Sequence, residues 1–207
     1  MIIAIDGPAA SGKGTLARRL AAEYGLAYLD TGLLYRAISK RVLDSGDDPS
    51  NEVAAVAAAR ALDLSEIESI GLRSVAISEA ASQVASIPAV RAELVKLQKD
   101  FANRPGGAVL DGRDTGTVIC PEADVKLFVT ASVEERARRR HAELVERGEA
   151  ISLEAVTADV QRRDDRDRTR SASPLRQAPD AYLLDTSNLS IDSAFAKAKA
   201  FISKHLG

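Results

Sequence analysis

Gly7-Pro8-Ala9-Ala10-Ser11-Gly12-Lys13 fits the spacing G-x-x-x-x-G-K, and Gly14 and Thr15 follow it. Glycines at those positions let backbone N–H groups converge on phosphate oxygens. A helix starting there adds positive potential, and a lysine at that point reaches the β- and γ-phosphates of a nucleoside triphosphate. The whole stretch Gly7, Pro8, Ala9, Ala10, Ser11, Gly12, Lys13, Gly14 and Thr15 therefore reads as a cradle for phosphate. Most such loops place a Ser or Thr directly after the lysine, with its hydroxyl on Mg²⁺. Here Gly14 takes that place and Thr15 comes one residue later, so Thr15 is a candidate magnesium contact. Magnesium tolerates such a site because it usually keeps several waters.

Further along, Asp30-Thr31-Gly32 precedes Tyr35-Arg36. Thr31 is placed to cap a helix with its hydroxyl, and Arg36, one turn in, to meet a second phosphate. Asp111-Gly112-Arg113-Asp114 offers a carboxylate for indirect magnesium binding, Asp111, and a planar guanidinium fork for phosphate, Arg113. Arg162 to Arg170 carries five arginines and three aspartates; on a helix, residues 163, 166, 167 and 170 share one face. From Arg136 to Arg176 there are eleven arginines, and no lysine lies between Lys126 and Lys197. A merely solvated face would accept lysine equally, whereas bidentate phosphate geometry favours arginine. With Arg136-Ala137-Arg138-Arg139-Arg140, this segment reads as a mobile cover over a polyphosphate.

These residues need a scaffold that brings loop ends together. Short continuous apolar runs recur at Ile2–Ile5, Leu26–Leu29, Ala108–Leu110, Val125–Val129 and Tyr182–Leu184, as buried parallel strands do. Segments of helical length separate most of them: Lys13–Tyr24, Leu33–Leu43, Val90–Phe101, Val133–Arg147 and Leu153–Arg163, with Ser190–His205 as a closing helix. Alternating strands and helices predict an α/β domain with a parallel sheet, whose strand ends are where ligands bind. Pro49 to Val84, rich in alanine, predicts a helical insert between the second and third strands.

At 207 residues the chain suits one domain with small inserts. Its 28 basic and 30 acidic residues leave a charge of −2, so no global basic field favours nucleic acid. The acidic interleaving of the arginine segment and the scarcity of aromatics argue the same way. One cysteine and two histidines make an internal disulfide impossible and a zinc site improbable. No apolar run approaches the ~20 residues of a membrane span, and no signal peptide precedes the first strand. The expectation is a soluble, cytoplasmic protein.

The motifs G-P-A-A-S-G-K-G-T, L-D-T-G-L-L-Y-R, E-A-A-S-Q-V-A, V-R, D-G-R-D-T-G-T and R-D-D-R-D-R-T-R occur in the order found in bacterial cytidylate kinases, which this chain resembles over nearly its whole length. Gly-Lys-Gly-Thr is likewise similar to the loop of nucleoside monophosphate kinases. The resemblance implies a three-layer P-loop kinase fold: a five-stranded parallel core (about 1–48, 86–130 and 180–207), a short monophosphate-binding insert (about 49–85) and a helical lid (about 136–176). It implies in-line transfer of the ATP γ-phosphoryl group to CMP or dCMP, with Mg²⁺, in pyrimidine nucleotide metabolism, by a monomer. Carried over residue by residue, it gives Arg36, Arg113 and Arg170 to the CMP phosphate, Arg163 and Asp167 to the sugar, and Ser82, Arg91 and Asp114 to cytosine. Thr31 stands where some members carry serine. Lys13, Arg113, Arg166 and Arg170 would neutralise charge on the transferred group, and Asp111 would hold magnesium through water.

Between Leu64 and Ser82 the chain is shorter than the longer family members, whose insert includes a small sheet; Leu72 to Ile77 is then all that remains of it. Two competing functions stay open on the residues alone. One is a kinase of this fold for UMP or a non-nucleotide acceptor. The other is a nucleotide-dependent switch, against which stands the lack of an Asn-Lys-x-Asp guanine-reading motif.

Overall fold

The computed structural model describes residues 1–64, 67, 72 and 74–206. Among them the chain builds five strands: β1 (Ile2–Asp6), β2 (Ala27–Asp30), β3 (Ala108–Gly112), β4 (Val125–Thr130) and β5 (Tyr182–Asp185). They form one all-parallel sheet in the order β2-β3-β1-β4-β5. Both faces are covered, which explains why the strands read as unbroken apolar runs.

Side chains alternate between two cores as the pleat requires. Val109 of β3 faces one side with Ile3 and Ile5, packed on α1 (Lys13–Tyr24) and α8 (Ile191–Leu206) through Leu16, Leu20, Ala198 and Ile202. Ala108 and Leu110 face the other side. There they meet α2 (Thr31–Asp44), α3 (Glu52–Arg60), α4 (Val75–Val84) and α5 (Pro88–Ala102) through residues such as Leu34, Ile38, Val84 and Leu94. Helices α6 (Val133–Glu146) and α7 (Leu153–Thr169) share a small core of their own: Ala137, Leu144, Val156 and Val160.

Every expected strand is present, each one residue or two longer at its C-terminal end or shifted by one, and α1 begins and ends as expected. Two expectations change. The helix expected to stop at Arg163 continues to Thr169, so the arginine–aspartate run is helical nearly to its end. The stretch expected to retain part of a small sheet instead leads into a helix. Ser74 accepts a hydrogen bond from the Ile77 N–H (3.2 Å) as the N-cap of α4, and the alanine-rich sequence that follows propagates it. Arg73 lies outside the described residues.

Candidate active site

The loops after β1, β2 and β3 meet at the C-terminal edge of the sheet. Parallel register sets Asp6 beside Gly112 and Asp30 beside Asp111. The first loop has a conformation that only its sequence permits. A Cβ on Gly7 would lie 1.9 Å from the Val129 carbonyl oxygen, and Gly12 enters α1 at φ +86°. Ala10 is also left-handed, at φ +59°. No side chain caps the start of α1, so its first N–H groups are left for an anion.

Gly14 has a second consequence. A Cβ there would stand 3.3 Å from Asp111 Oδ2, so the carboxylate lies directly against the backbone where a loop serine or threonine is usual. The Tyr28 hydroxyl donates to the same oxygen at 2.6 Å. Loss of solvation, reinforced by the Asp30 charge, pushes the Asp111 carboxyl up to about 6. Oxygen donors close under the loop fit a hard cation. Among the described residues no three histidine, cysteine or carboxylate side chains form a metal cage, so such an ion would draw most ligands from phosphate and water.

A cleft of about 570 Å³ runs from this loop past Arg36, Arg113 and Ser78 to Arg163. Cations outnumber carboxylates on its walls, seven to four. Loss of solvation, then the Arg113 charge, pushes the Lys13 ammonium down to about 8, with Arg36 adding to the shift. Burial also lowers Arg163, which Arg113, Arg36 and Arg140 further repel. Cations that disfavour one another across a walled cleft are poised for a polyanion.

Beyond the cleft lies a buried polar network. Arg91 donates to Asp114 Oδ2 and, at 3.1 Å, to the Ala85 carbonyl. Arg170 Nη2 lies 3.8 Å from Asp114 Oδ1, and its Nε donates to the Ser173 carbonyl at 2.7 Å. Arg113 Nε donates to Asp167 Oδ2 at 2.7 Å. From α7, Arg163 reaches the Ser78 carbonyl (2.8 Å) and Arg166 reaches Glu79 Oε1 (2.8 Å), clasping α4. Within this network Ser78 Oγ, Ser82 Oγ, Arg91 Nε, Arg166 Nη1 and Arg170 Nη2 are buried without a hydrogen-bond partner. Each such group costs ~1–3 kcal/mol, so their concentration where α4, α5 and α7 converge marks a place built for a polar ligand.

Most expected site residues thus fall into two adjoining groups: the loop with Arg36, Asp111, Arg113 and Arg163 around the cleft, and Ser82, Arg91, Asp114, Arg166, Asp167 and Arg170 in the network. One expectation is corrected. Asp30, not Thr31, caps α2, accepting from the Gly32 N–H at 3.0 Å; the buried Thr31 hydroxyl instead donates to the Asp111 carbonyl at 2.9 Å, tying α2 to β3. Arg136, from the run expected to cover a polyphosphate, is buried and paired with Asp164.

Three contributors escaped notice in the sequence. Asp6 accepts from the Thr115 N–H and hydroxyl (both 2.8 Å) and from the Gly116 N–H (2.7 Å). It thereby fixes the π-helical turn Thr115–Ile119 behind Arg113 and Asp114. An aspartate ending an otherwise apolar strand was the available signal. Tyr28 is the second. Thr186, after β5, is the third: its hydroxyl donates to the Ser11 carbonyl at 2.9 Å, and its own carbonyl accepts from Arg139 Nη2 at 2.7 Å.

Comparison with known proteins follows the same outline. The family model described as Cytidylate kinase matches residues 3–204. A protein of Xanthobacter autotrophicus named Cytidylate kinase is 61% identical, covering 98% of this chain and 97% of its own. Proteins of the same name from Methylocella silvestris and Azorhizobium caulinodans are each 59% identical, over 98% and 100% of this chain and 94% and 100% of theirs. Among solved structures, an uncharacterized protein from Eubacterium ventriosum aligns with a TM-score of 0.57 at 17% identity, over 99% of this chain and 98% of that one; the likeness is one of fold.

Proposed function

The chain belongs to the cytidylate kinase family, and from that premise we propose that it transfers the γ-phosphoryl group of ATP to CMP and dCMP. The observation that carries this assignment of sites is the cationic cleft. Lys13, Arg36, Arg113 and Arg163 surround one space, where the Arg113 and Arg36 charges add to burial in lowering the proton affinity of Lys13 and of Arg163. Two phosphorylated ligands meeting end to end would relieve that repulsion.

The triphosphate takes the cradle from Gly7 to Thr15, with Lys13 on its outer phosphates. The monophosphate takes Arg36, Arg113 and Arg170, and Asp167 and Arg163 face its sugar. Ser82, Arg91 and Asp114 meet the base. Asp111 and Thr15 would hold Mg²⁺ largely through water, and the ion would supply positive charge between the phosphates. The acceptor phosphate oxygen is already anionic at neutral pH, so no general base is needed; alignment and charge stabilisation remain. Lys13, with Arg113, Arg166 and Arg170, answers that second demand. Arg166 would leave Glu79 for the transferred group as the ligands enter.

Water must be kept from the donor, and the Arg163 contact of α7 with the Ser78 carbonyl of α4 is suited to that. The insert (about 49–85) and lid (about 136–176) would move against the core in each cycle. Among the described residues no helix is long and apolar enough to cross a membrane. We place the protein, as a monomer, in the cytoplasm and in pyrimidine nucleotide metabolism. ADP release coupled to a reporter, measured with CMP, dCMP, UMP, AMP and GMP, tests the proposal. CMP and dCMP should stimulate strongly and the others weakly; no stimulation by any monophosphate would favour a nucleotide-dependent switch instead.

A further inference from the structure

Among the described residues Arg136 is the largest side chain fully withdrawn from solvent, and it sits outside every nucleotide-facing group assigned above. It leaves the first turn of α6, which Ser132 caps. Its Nε donates to the Ala131 carbonyl at 2.9 Å. Its Nη1 donates to the Ala9 carbonyl at 3.3 Å and to Asp164 Oδ1 at 2.9 Å, and Nη2 donates to Asp164 Oδ2 at 2.6 Å. Asp164 is itself 3% exposed. One rigid planar group therefore joins three pieces of backbone: the turn after β4, the phosphate loop and the lid helix α7.

Stability does not account for this pair. Replacing a buried ion pair with apolar side chains of similar volume is often neutral or stabilising. What an apolar pair cannot reproduce is direction. The bidentate contact sets the rotation of α7 about its axis, and the third bond ties that rotation to Ala9, whose neighbour Ala10 holds the left-handed turn of the loop. Asp164 is followed and preceded in sequence by lid residues. Arg163, on its N-terminal side, lines the same cleft as Lys13 and grips the Ser78 carbonyl.

We propose that Arg136, acting through Asp164, is a positioning residue for phosphoryl transfer. It holds the phosphate loop and α7 in one register, so that Arg163 faces the loop and the donor is screened from water. This rests on the kinase assignment above. A lysine would keep the charge but not the fork.

The test uses the full chain with three variants: D164N, R136K and the apolar pair R136M/D164L. Each is assayed well below its own melting midpoint for ATP affinity, for kcat with CMP, and for ATP hydrolysis without CMP. Misplacement by ~1 Å costs about 10²-fold, so kcat should fall by that order while ATP affinity stays within about threefold. The share of ATP lost to water should rise. R136M/D164L should recover the wild-type melting midpoint without recovering kcat. If kcat and the partition between CMP and water return to wild-type values along with the midpoint, the pair is only structural and the proposal falls. Should the apolar pair not fold, wild-type kcat and partition in D164N or R136K overturn it equally. Wild-type protein that releases no ADP in response to CMP would instead overturn the kinase assignment.

Discussion

Asp114→Asn tests how the base is chosen. Asp114 is 6% exposed; its Oδ2 accepts from Arg91, and its Oδ1 lies 3.8 Å from Arg170 Nη2. The partnerless Arg91 Nε and Ser82 Oγ complete the polar lining. Cytosine offers an N4 amino donor with N3 and O2 acceptors, matching a carboxylate beside a guanidinium; uracil reverses the positions at C4 and N3. Each mispaired buried group costs ~1–3 kcal/mol, so two such mismatches disfavour UMP by roughly 2–6 kcal/mol. That range spans about 30-fold to above 10⁴-fold, and from its middle the wild-type ratio of kcat/KM for CMP over UMP is expected to exceed about 10². An asparagine amide can turn to donate to uracil O4, which removes one mismatch and should narrow the ratio by about five- to hundredfold.

The same substitution weakens a buried ion pair, so the melting midpoint should fall; removing one partner of such a pair typically costs ~3–5 kcal/mol, and the retained amide oxygen places this variant toward the lower end. Steady-state kinetics with both monophosphates, run well below the midpoint, separate the two effects. Proportional losses on CMP and UMP, leaving the ratio unchanged, would remove Asp114 from the base-reading set and leave it only the task of holding Arg91.

Lys13→Ala should abolish turnover with little change in melting, since charge stabilisation of this kind is typically worth ~10²-fold or more; retention of over a tenth of wild-type kcat would contradict its role. Arg170→Lys should be nearly as damaging as Arg170→Ala, because a lysine cannot keep the bond to Ser173 and still present a fork to phosphate; near-normal kinetics would return Arg170 to a structural part. Asp167→Ala should impair transfer and shift the CMP-to-dCMP ratio, unless proportional losses show that the 2′-hydroxyl is read elsewhere. In the free enzyme, kcat/KM for ATP should decline above about pH 8 as Lys13 deprotonates. The sign for stability is opposite: a folded pKa below the ordinary 10.5 means the unfolded chain binds more protons between about 8 and 10.5, so Lys13 makes the apo protein more stable as pH rises through that window. A Lys13→Met variant should lose this stability dependence, and its persistence would assign it to another group.

The phosphate loop was legible because its chemistry is local: glycines, a lysine and a strand before a helix are all adjacent in sequence. The strands were legible for the related reason that two-sided burial leaves an unbroken apolar run. What escaped depends on contacts across the fold. Thr31 and Asp30 are equally good caps in sequence, and only the approach of β3 decides that the Thr31 hydroxyl serves the Asp111 carbonyl. Asp6 reaches Thr115 across more than a hundred residues, and Tyr28 reaches Asp111 across a strand pair. Arg136 stood in a run of arginines with nothing local to mark it as the one turned inward.

That run shows what arginine contributes. Arg136 spends its fork on Asp164. Arg139 bridges the Thr186 carbonyl and hydroxyl, beside the loop. Arg170 donates its Nε to a backbone carbonyl and stands at ion-pair distance, 3.8 Å, from each of two carboxylates. Each of these places asks for two or more directed donors on one plane, which a lysine ammonium does not offer. Arg138, Arg140 and Arg162 are different: they pair with glutamate or aspartate three residues away on their own helices. Such pairs contribute only ~0.3–0.5 kcal/mol, and lysine would serve there as well. The lysine-free stretch is thus two populations. Arg136, Arg139 and Arg170 are required by geometry, and substitution to lysine at a surface position such as Arg162 should leave both turnover and melting near wild type.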